Sequence, residues 1–304
     1  MKLGVIGGAG LLGSTTAFHV GLTGVFSEIV LLDLKHNLAM CHALDMDQAL
    51  SYTSGTRVRA GEYSDLAECD IVLMSAGAPE TAAASRNEYL QSNLKIVRDI
   101  CGQIAPYVKD KVIIDATNPV DVLNFVSWKL LGCPREKILG FCLNDSVRFA
   151  WAAAEVRGVS PSTAGALCVG EHGDGQVPIL SSVTIDNKPA NLTREEGSQV
   201  VSKVQKWFGE YQALDGKRSS GWTSALGLGR LITAVAKNTN EVLPVSAVVQ
   251  GEYGFKDISI GVPIQVGASG ITAYAPVTGI SPEEQTAFDA SAVKIRGLLE
   301  SVGY

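Results

Sequence analysis

The chain has 304 residues and sets 25 Lys and Arg against 31 Asp and Glu, a formal net charge of −6 at pH 7. That length allows one large core or two lobes. The negative balance excludes a protein that tracks nucleic-acid phosphates, which needs a basic surface. Hydrophobic residues make up 46% and charged residues 18%, the proportions of an ordinary globular enzyme. No apolar stretch approaches the roughly 20 residues that span a bilayer, so neither a membrane nor a nucleic acid is expected as a partner. The six cysteines, at 41, 69, 101, 133, 142 and 168, include no C-x-x-C pair. They read as reduced thiols, with no zinc site or disulfide framework and no metal expected. The first apolar run, Leu3–Ile6, meets glycines at once instead of forming a leader, which points to the cytoplasm.

The first half alternates short β-rich runs with helix-length segments. Strands are predicted at Leu3–Ile6, Ile29–Leu32, Ile71–Ser75 and Val112–Asp115, with another at Lys137–Phe141. Helices are predicted at Ser14–Thr23, Leu38–Leu50 and Arg86–Val108. Such alternation implies a parallel sheet covered by helices on both faces, and the near-continuous apolar strands fit that burial. From about Asn144 the character changes to long helices at Ser146–Val156, Thr193–Leu214 and Ser220–Asn240. Glycine-punctuated strands are expected at Thr163–Val169, Val183–Ile185 and Ile258–Val266, and a last helix from about Pro282 to Val302. No linker or repeat separates the halves. The expected class is α/β: a doubly wound parallel Rossmann sheet over residues 1–143, followed by an α+β substrate domain over residues 144–304.

The first strand runs into Gly7-Gly8-Ala9-Gly10-Leu11-Leu12-Gly13. Gly8, Gly10 and Gly13 fit G-x-G-x-x-G, and Gly7, Gly10 and Gly13 fit G-x-x-G-x-x-G. Either spacing lets the backbone approach a pyrophosphate at a helix N-terminus, whose free N–H groups and dipole favour anions. The motif lies between a strand and a helix, the context it requires. Asp33 closes the next strand, twenty residues after Gly13. A carboxylate there accepts from the adenosine ribose and repels a 2′-phosphate, which favours NAD over NADP.

His172 stands between glycines in Gly170-Glu171-His172-Gly173-Asp174, after a β-rich run. An imidazole presented at a strand end suits proton exchange near neutral pH. Asp145 and Arg148 are three residues apart at the start of a predicted helix, on one face. They read either as an i,i+3 ion pair or as a functional pair. In the second case Asp145 orients an imidazole and Arg148 grips a carboxylate with its planar fork.

Several segments, in order, make the chain resemble the L-lactate/malate dehydrogenase family along nearly its whole length. They are Gly8-Ala9-Gly10-Leu11-Leu12-Gly13, Ser75-Ala76-Gly77-Ala78-Pro79, Arg86 with Asn93, and Ala116-Thr117-Asn118-Pro119-Val120-Asp121. Further along stand Asn144-Asp145-Ser146-Val147-Arg148, Gly170-Glu171-His172-Gly173-Asp174, and Leu243-Pro244-Val245-Ser246 with Gly261-Val262-Pro263. The resemblance implies hydride transfer between NAD and a small L-2-hydroxy acid or its 2-oxo acid, in a homodimer or homotetramer. His172 would be the acid/base, with Asp145 holding its other nitrogen. Arg148 would bind the substrate carboxylate, and Arg86 would polarise the reacting C–O bond from a mobile loop. Asn118 would lie near nicotinamide and substrate, and Thr223 would line the pocket. Cofactor contacts would come from Gly8, Gly10, Leu11, Leu12, Gly13, Asp33, Ala76, Gly77 and Asn118.

Three departures bear on specificity and control. Ala82-Ala83 stand where the family usually has Pro-Gly, exchanging a hinge for helix-favouring residues. Six residues before Arg86, where malate enzymes resemble one another in arginine and lactate enzymes in glutamine, this chain has Glu80. Like charges about 4 Å apart at an effective dielectric near 20 cost roughly 4 kcal/mol, so an inward Glu80 would disfavour the second carboxylate of oxaloacetate. The substrate side group is then either neutral polar or cationic, meeting Glu80, or lactate-like with Glu80 turned to solvent. Ala150 and Gly165 stand where sugar-bisphosphate-activated relatives carry basic residues, so no such activation is expected. A non-catalytic NADH-binding or structural protein, and an NAD- and metal-dependent glycosidase using Cys168 and His172, are the competing classes.

Overall fold

The computed structural model describes residues 1–78, 86–214, 216 and 220–304, without the side chains of Arg86, Asn87, Phe208 and Gln212. The first half runs β1 (Lys2–Ile6), α1 (Leu11–Leu22), β2 (Glu28–Leu32), α2 (His36–Leu50), β3 (Arg57–Ala60) and β4 (Ile71–Met74). It continues with α3 (Arg86–Val108), β5 (Val112–Asp115), α4 (Val120–Leu131) and β6 (Ile138–Gly140). These six strands pair in parallel in the order β3-β2-β1-β4-β5-β6. The order reverses between β1 and β4, and in open α/β sheets ligands bind beyond the strand C-termini at that point. The inner strands are largely apolar because helices cover both faces: Leu3, Val5, Ile29, Leu31, Leu73 and Ile113 are wholly buried, whereas the edge strand β3 carries Arg57 and Arg59.

The second half runs α5 (Leu143–Arg157), β7 (Ala164–Gly170), β8 (Gln176–Ile185), β9 (Lys188–Pro189), α6 (Arg194–Ala213) and α7 (Gly221–Lys237). It ends with β10 (Val242–Gln250), β11 (Lys256–Gly267), β12 (Gly270–Tyr274) and α8 (Pro282–Ser301). Here the pairing is antiparallel, with β12 and β7 both on β11 and β8 on β7. Helix ends follow local chemistry. Ser281 and Glu284 form a reciprocal capping box that starts α8 with Pro282 in its first turn. Asn238 takes a left-handed conformation (φ 51°) and ends α7 at Lys237, three residues short of the predicted end.

The fold is the expected α/β class, with differences of detail. Five elements are not marked by sequence pattern: β3, α4, β9, β10 and β12. β10 contains Pro244, a residue that argues against an inner strand, yet it lies between β6 and β11. It meets β6 through the single pair Ser246↔Gly140, and this pair joins both halves into one twelve-stranded sheet. A Cβ at Gly140 would lie 2.8 Å from that of Ser246, so only glycine permits the approach.

Candidate active site

The cofactor end is built from backbone. Gly7 leaves β1 with φ +86°, and both its N–H and that of Gly8 donate to the Leu32 carbonyl at the end of β2. A Cβ at Gly7 would sit 2.7 Å from the Ala76 nitrogen, and one at Gly8 2.9 Å from the Leu31 Cβ. A Cβ at Gly13 would collide with the Gly7 carbonyl, so α1 packs directly on the turn. Both glycine spacings are therefore used at once: Gly7 for the turn, Gly8 and Gly13 for close packing, Gly10 as the N-cap. Gly10 offers no side chain to the first turn of α1, so the N–H groups at Leu11, Leu12 and Gly13 have no capping side chain. Asp33 is tied to this loop: one carboxylate oxygen accepts from Ala9 N at 3.0 Å, the other from Lys35 N at 2.9 Å. A glycine cradle, an uncapped helix N-terminus and a carboxylate at the end of the neighbouring strand fit a dinucleotide.

Across the mouth of the sheet, Gly77 and Ala76 follow β4, and Asn118 follows β5. Thr117 Oγ1 donates to the Ala76 carbonyl at 2.9 Å. The fully buried Asn93 of α3 accepts from Ala78 N at 2.7 Å and donates to the Asn118 carbonyl at 2.7 Å. Its two bonds lock the β4 and β5 loops together, and the Asn118–Pro119 peptide is cis. The Asn118 side chain is exposed.

The acid–base end is built from side chains. His172 follows β7 and projects from the loop after Gly170, whose φ of +92° and contact with the Gly175 carbonyl exclude any side chain. The imidazole Nδ1 meets Asp145 Oδ2 at 2.6 Å, so Nε2 is the ring nitrogen that Asp145 does not engage. Asp145, 7% exposed, lies in the first turn of α5. Its other oxygen stands 3.6 Å from Arg148 Nη1, so the ion pair and the imidazole contact coexist, and they do so in a part-buried site rather than at the surface. Burial opposes charge on His172. The charge and hydrogen bond of Asp145, with the charge of Asp121, outweigh both burial and Arg148 and hold the imidazole pKa above its ordinary value. Burial pulls the Arg148 pKa down, and Asp145 opposes that.

Sequence reasoning missed three supports. Asp121, on α4, accepts the His172 backbone N–H at 2.7 Å and the Ser246 hydroxyl at 2.5 Å. It is buried, which pushes its pKa up to about 6. Glu171 accepts from Lys294 of α8 at 2.5 Å and from Gly175 N at 2.8 Å, and its own N–H donates to Ser291 at 2.6 Å. Ser220, the N-cap of α7, accepts from Arg148 Nη2 at 3.3 Å; Thr223 stands half-buried further along that helix. Asp121 lies within a quoted motif and could have been weighed as a buried acid. Nothing local to Ser220, Ser291 or Lys294 points to the site. Glu80 and residues 81–85 lie outside the described residues, as does the side chain of Arg86 at the start of α3.

An NAD-type crevice and an Asp-oriented histidine beside a part-buried arginine define a nicotinamide-dependent oxidoreductase. The chain belongs to the lactate/malate dehydrogenase family: the model of its NAD-binding domain matches residues 1–140, and that of its alpha/beta C-terminal domain residues 144–302. L-lactate dehydrogenase 1 of Staphylococcus aureus is 32% identical over 302 residues, 97% of this chain and 95% of that protein. Among solved structures, the minor L-lactate dehydrogenase of Enterococcus mundtii superposes with TM-score 0.91 at 28% identity, covering 99% of this chain and 98% of the other. The malate dehydrogenase of Cryptosporidium parvum gives TM-score 0.93 at 27% identity, with 99% and 98% covered. The cofactor is NAD, which supplies or accepts a hydride when bound. Among the described residues no helix is long and apolar enough to cross a membrane.

Proposed function

We propose that the enzyme interconverts a small L-2-hydroxy acid and its 2-oxo acid, with a monocarboxylate preferred over oxaloacetate. The observation that carries the reaction is the Asp145–His172 pair at 2.6 Å with Arg148 on the same helix turn. In reduction, His172 as imidazolium gives its Nε2 proton to the oxygen on which charge develops, and Asp145 stabilises the cation and fixes the ring. In oxidation the neutral imidazole takes that proton back. Arg148 binds the carboxylate, Arg86 polarises the C–O bond, and Ser220 steadies the Arg148 fork. Asn118 and Thr223 line the pocket. Gly8, Gly10, Leu11, Leu12 and Gly13 hold the pyrophosphate, Asp33 the ribose, and Ala76 and Gly77 the nicotinamide end. Residues 1–143 thus bind NAD and residues 144–304 carry the substrate groups.

Glu80 supports the exclusion of a second carboxylate and leaves the side group neutral polar, cationic or lactate-like. The test is NADH oxidation against a panel of 2-oxo acids, including amino- and guanidino-bearing ones. Turnover of a monocarboxylate is expected, and efficient turnover of oxaloacetate would overturn the exclusion. A non-catalytic NADH binder is disfavoured because it has no use for an oriented imidazole. A metal glycosidase is disfavoured because the buried Cys168 thiol faces the Val169 carbonyl and Gln176, while Nδ1 of His172 is taken by Asp145. Apolar side chains on three helices, Phe18 and Leu22 of α1, Leu44 of α2, and Trp222 and Leu226 of α7, stay exposed. Helices α1, α2 and α7 also line a groove of about 400 Å³. This face supports a homodimer or homotetramer, which light scattering would reveal. All six cysteines are unpaired, consistent with a reducing cytoplasm.

A further inference from the structure

Arg148 is not held only by its edges. The Trp207 ring of α6 lies over the guanidinium, with its centroid 4.9 Å from the Arg148 Cζ. Tyr211, one turn later on the same helix face, stacks on Trp207 with ring centroids 5.2 Å apart and planes 21° from parallel. Trp207 thus contacts both the Arg148 guanidinium and the Tyr211 ring. The Arg148 side chain is only 17% exposed, and Nε is buried with no hydrogen-bond partner among the described residues. The remaining contacts lie on the Nη atoms: Asp145 at 3.6 Å and Ser220 at 3.3 Å. Neither is short enough to fix the plane of the fork alone.

We propose that Trp207 is a positioning residue for substrate recognition, whose π face fixes the Arg148 plane and shuts one side of it from water, so that a carboxylate engages only along the guanidinium edge. This rests on the reading of Arg148 as the substrate-carboxylate group. A planar guanidinium stacks well on indole because the ring quadrupole attracts the cation and the flat surfaces match. Covering the face removes water that would compete with the substrate, and it strengthens the carboxylate pair at the edge. It also confines the fork to one plane before binding, which reduces the ordering lost when a bidentate pair forms. Phenylalanine preserves a π face at this position. Leucine has none, and its smaller, non-planar side chain leaves part of the guanidinium face uncovered.

The test uses Trp207→Phe and Trp207→Leu in the full chain, with NADH affinity as the control for folding. With the best 2-oxo acid of the panel, W207L is expected to raise KM about tenfold with kcat nearly unchanged, whereas W207F stays close to wild type. A W207L enzyme with wild-type KM, or equal losses in both variants, overturns the proposal. A second readout does not depend on turnover. Phenylglyoxal attacks free guanidinium groups, and its rate at Arg148 can be followed by peptide mass spectrometry. Arg148 should react several-fold faster in W207L than in W207F or wild type, and equal rates overturn the proposal. If the wild type reduces no 2-oxo acid, the functional reading fails and the reactivity arm still decides whether Trp207 covers Arg148.

Discussion

The two ends of the crevice are made in opposite ways. At the cofactor end almost every contact is backbone, from a seven-residue glycine run and one carboxylate at the next strand end. At the acid–base end almost every contact is a side chain, gathered from α4, α5, α7, α8 and β10 across separations of up to 125 residues. The first arrangement depends on space being left empty. The second depends on charges being matched in a place where water cannot correct an error. The cofactor end should therefore fail through added atoms, and the substrate end through removed ones.

The largest effect should come from His172→Ala, with kcat falling by about 10²–10⁴ and NADH affinity retained. Loss of both together would mean that the two ends are not separable. Next is Asp145→Asn, which removes the charge that raises the His172 pKa. On the proposed reading, wild-type 2-oxo acid reduction uses the imidazolium and should decline as pH rises through the raised pKa. The variant should show this decline at lower pH, with kcat down by roughly 10². The same linkage bears on stability. An imidazole of raised pKa stabilises the folded chain below its unfolded value, near 6.5, and that gain disappears as pH rises through the folded value. Urea melts at pH 6 and pH 9 should therefore differ less in Asp145→Asn than in the wild type.

Gly7→Ala tests the other side of the comparison. Its positive φ and the nearby Ala76 nitrogen oppose a methyl group. The chain should lose roughly 1–2 kcal/mol in thermal unfolding and bind NADH more weakly, while Arg148 chemistry stays intact. The smallest effect is expected for Ser220→Ala, which removes one long bond to Arg148. KM should rise by a factor of about five, corresponding to roughly 1 kcal/mol, with kcat unchanged. An unchanged KM would mean that Asp145 and Trp207 suffice to hold the fork.

The same contrast explains what was legible in the sequence. Parallel strands buried on both faces leave contiguous apolar runs, so β1, β2, β4 and β5 stand out, as do the glycines between β1 and α1. Asp145, Arg148 and His172 are recognisable because each sits in a distinctive short motif. β10 is hidden because Pro244 breaks the usual strand pattern and only its place between β6 and β11 makes it a strand. Asp121 and Glu171 lie within motifs whose backbone-directed bonds have no local signature. Ser220, Trp207 and Lys294 reach the site through tertiary packing, and no spacing connects them to it.

The bonds from Ser291 and Lys294 to Glu171 have a consequence in time. The loop that presents His172 is fastened by residues made about 120 positions later in synthesis. The glycine turn, β1 and β2 all precede that loop, and the bonds that join them to one another need nothing from α8. Glu171, beside His172, gains its Ser291 and Lys294 partners only when α8 is in place. Packing of α8 therefore completes the support of the loop that carries His172, whereas the ring and backbone contacts of His172 to Asp145 and Asp121 are made to elements that come before it in the chain.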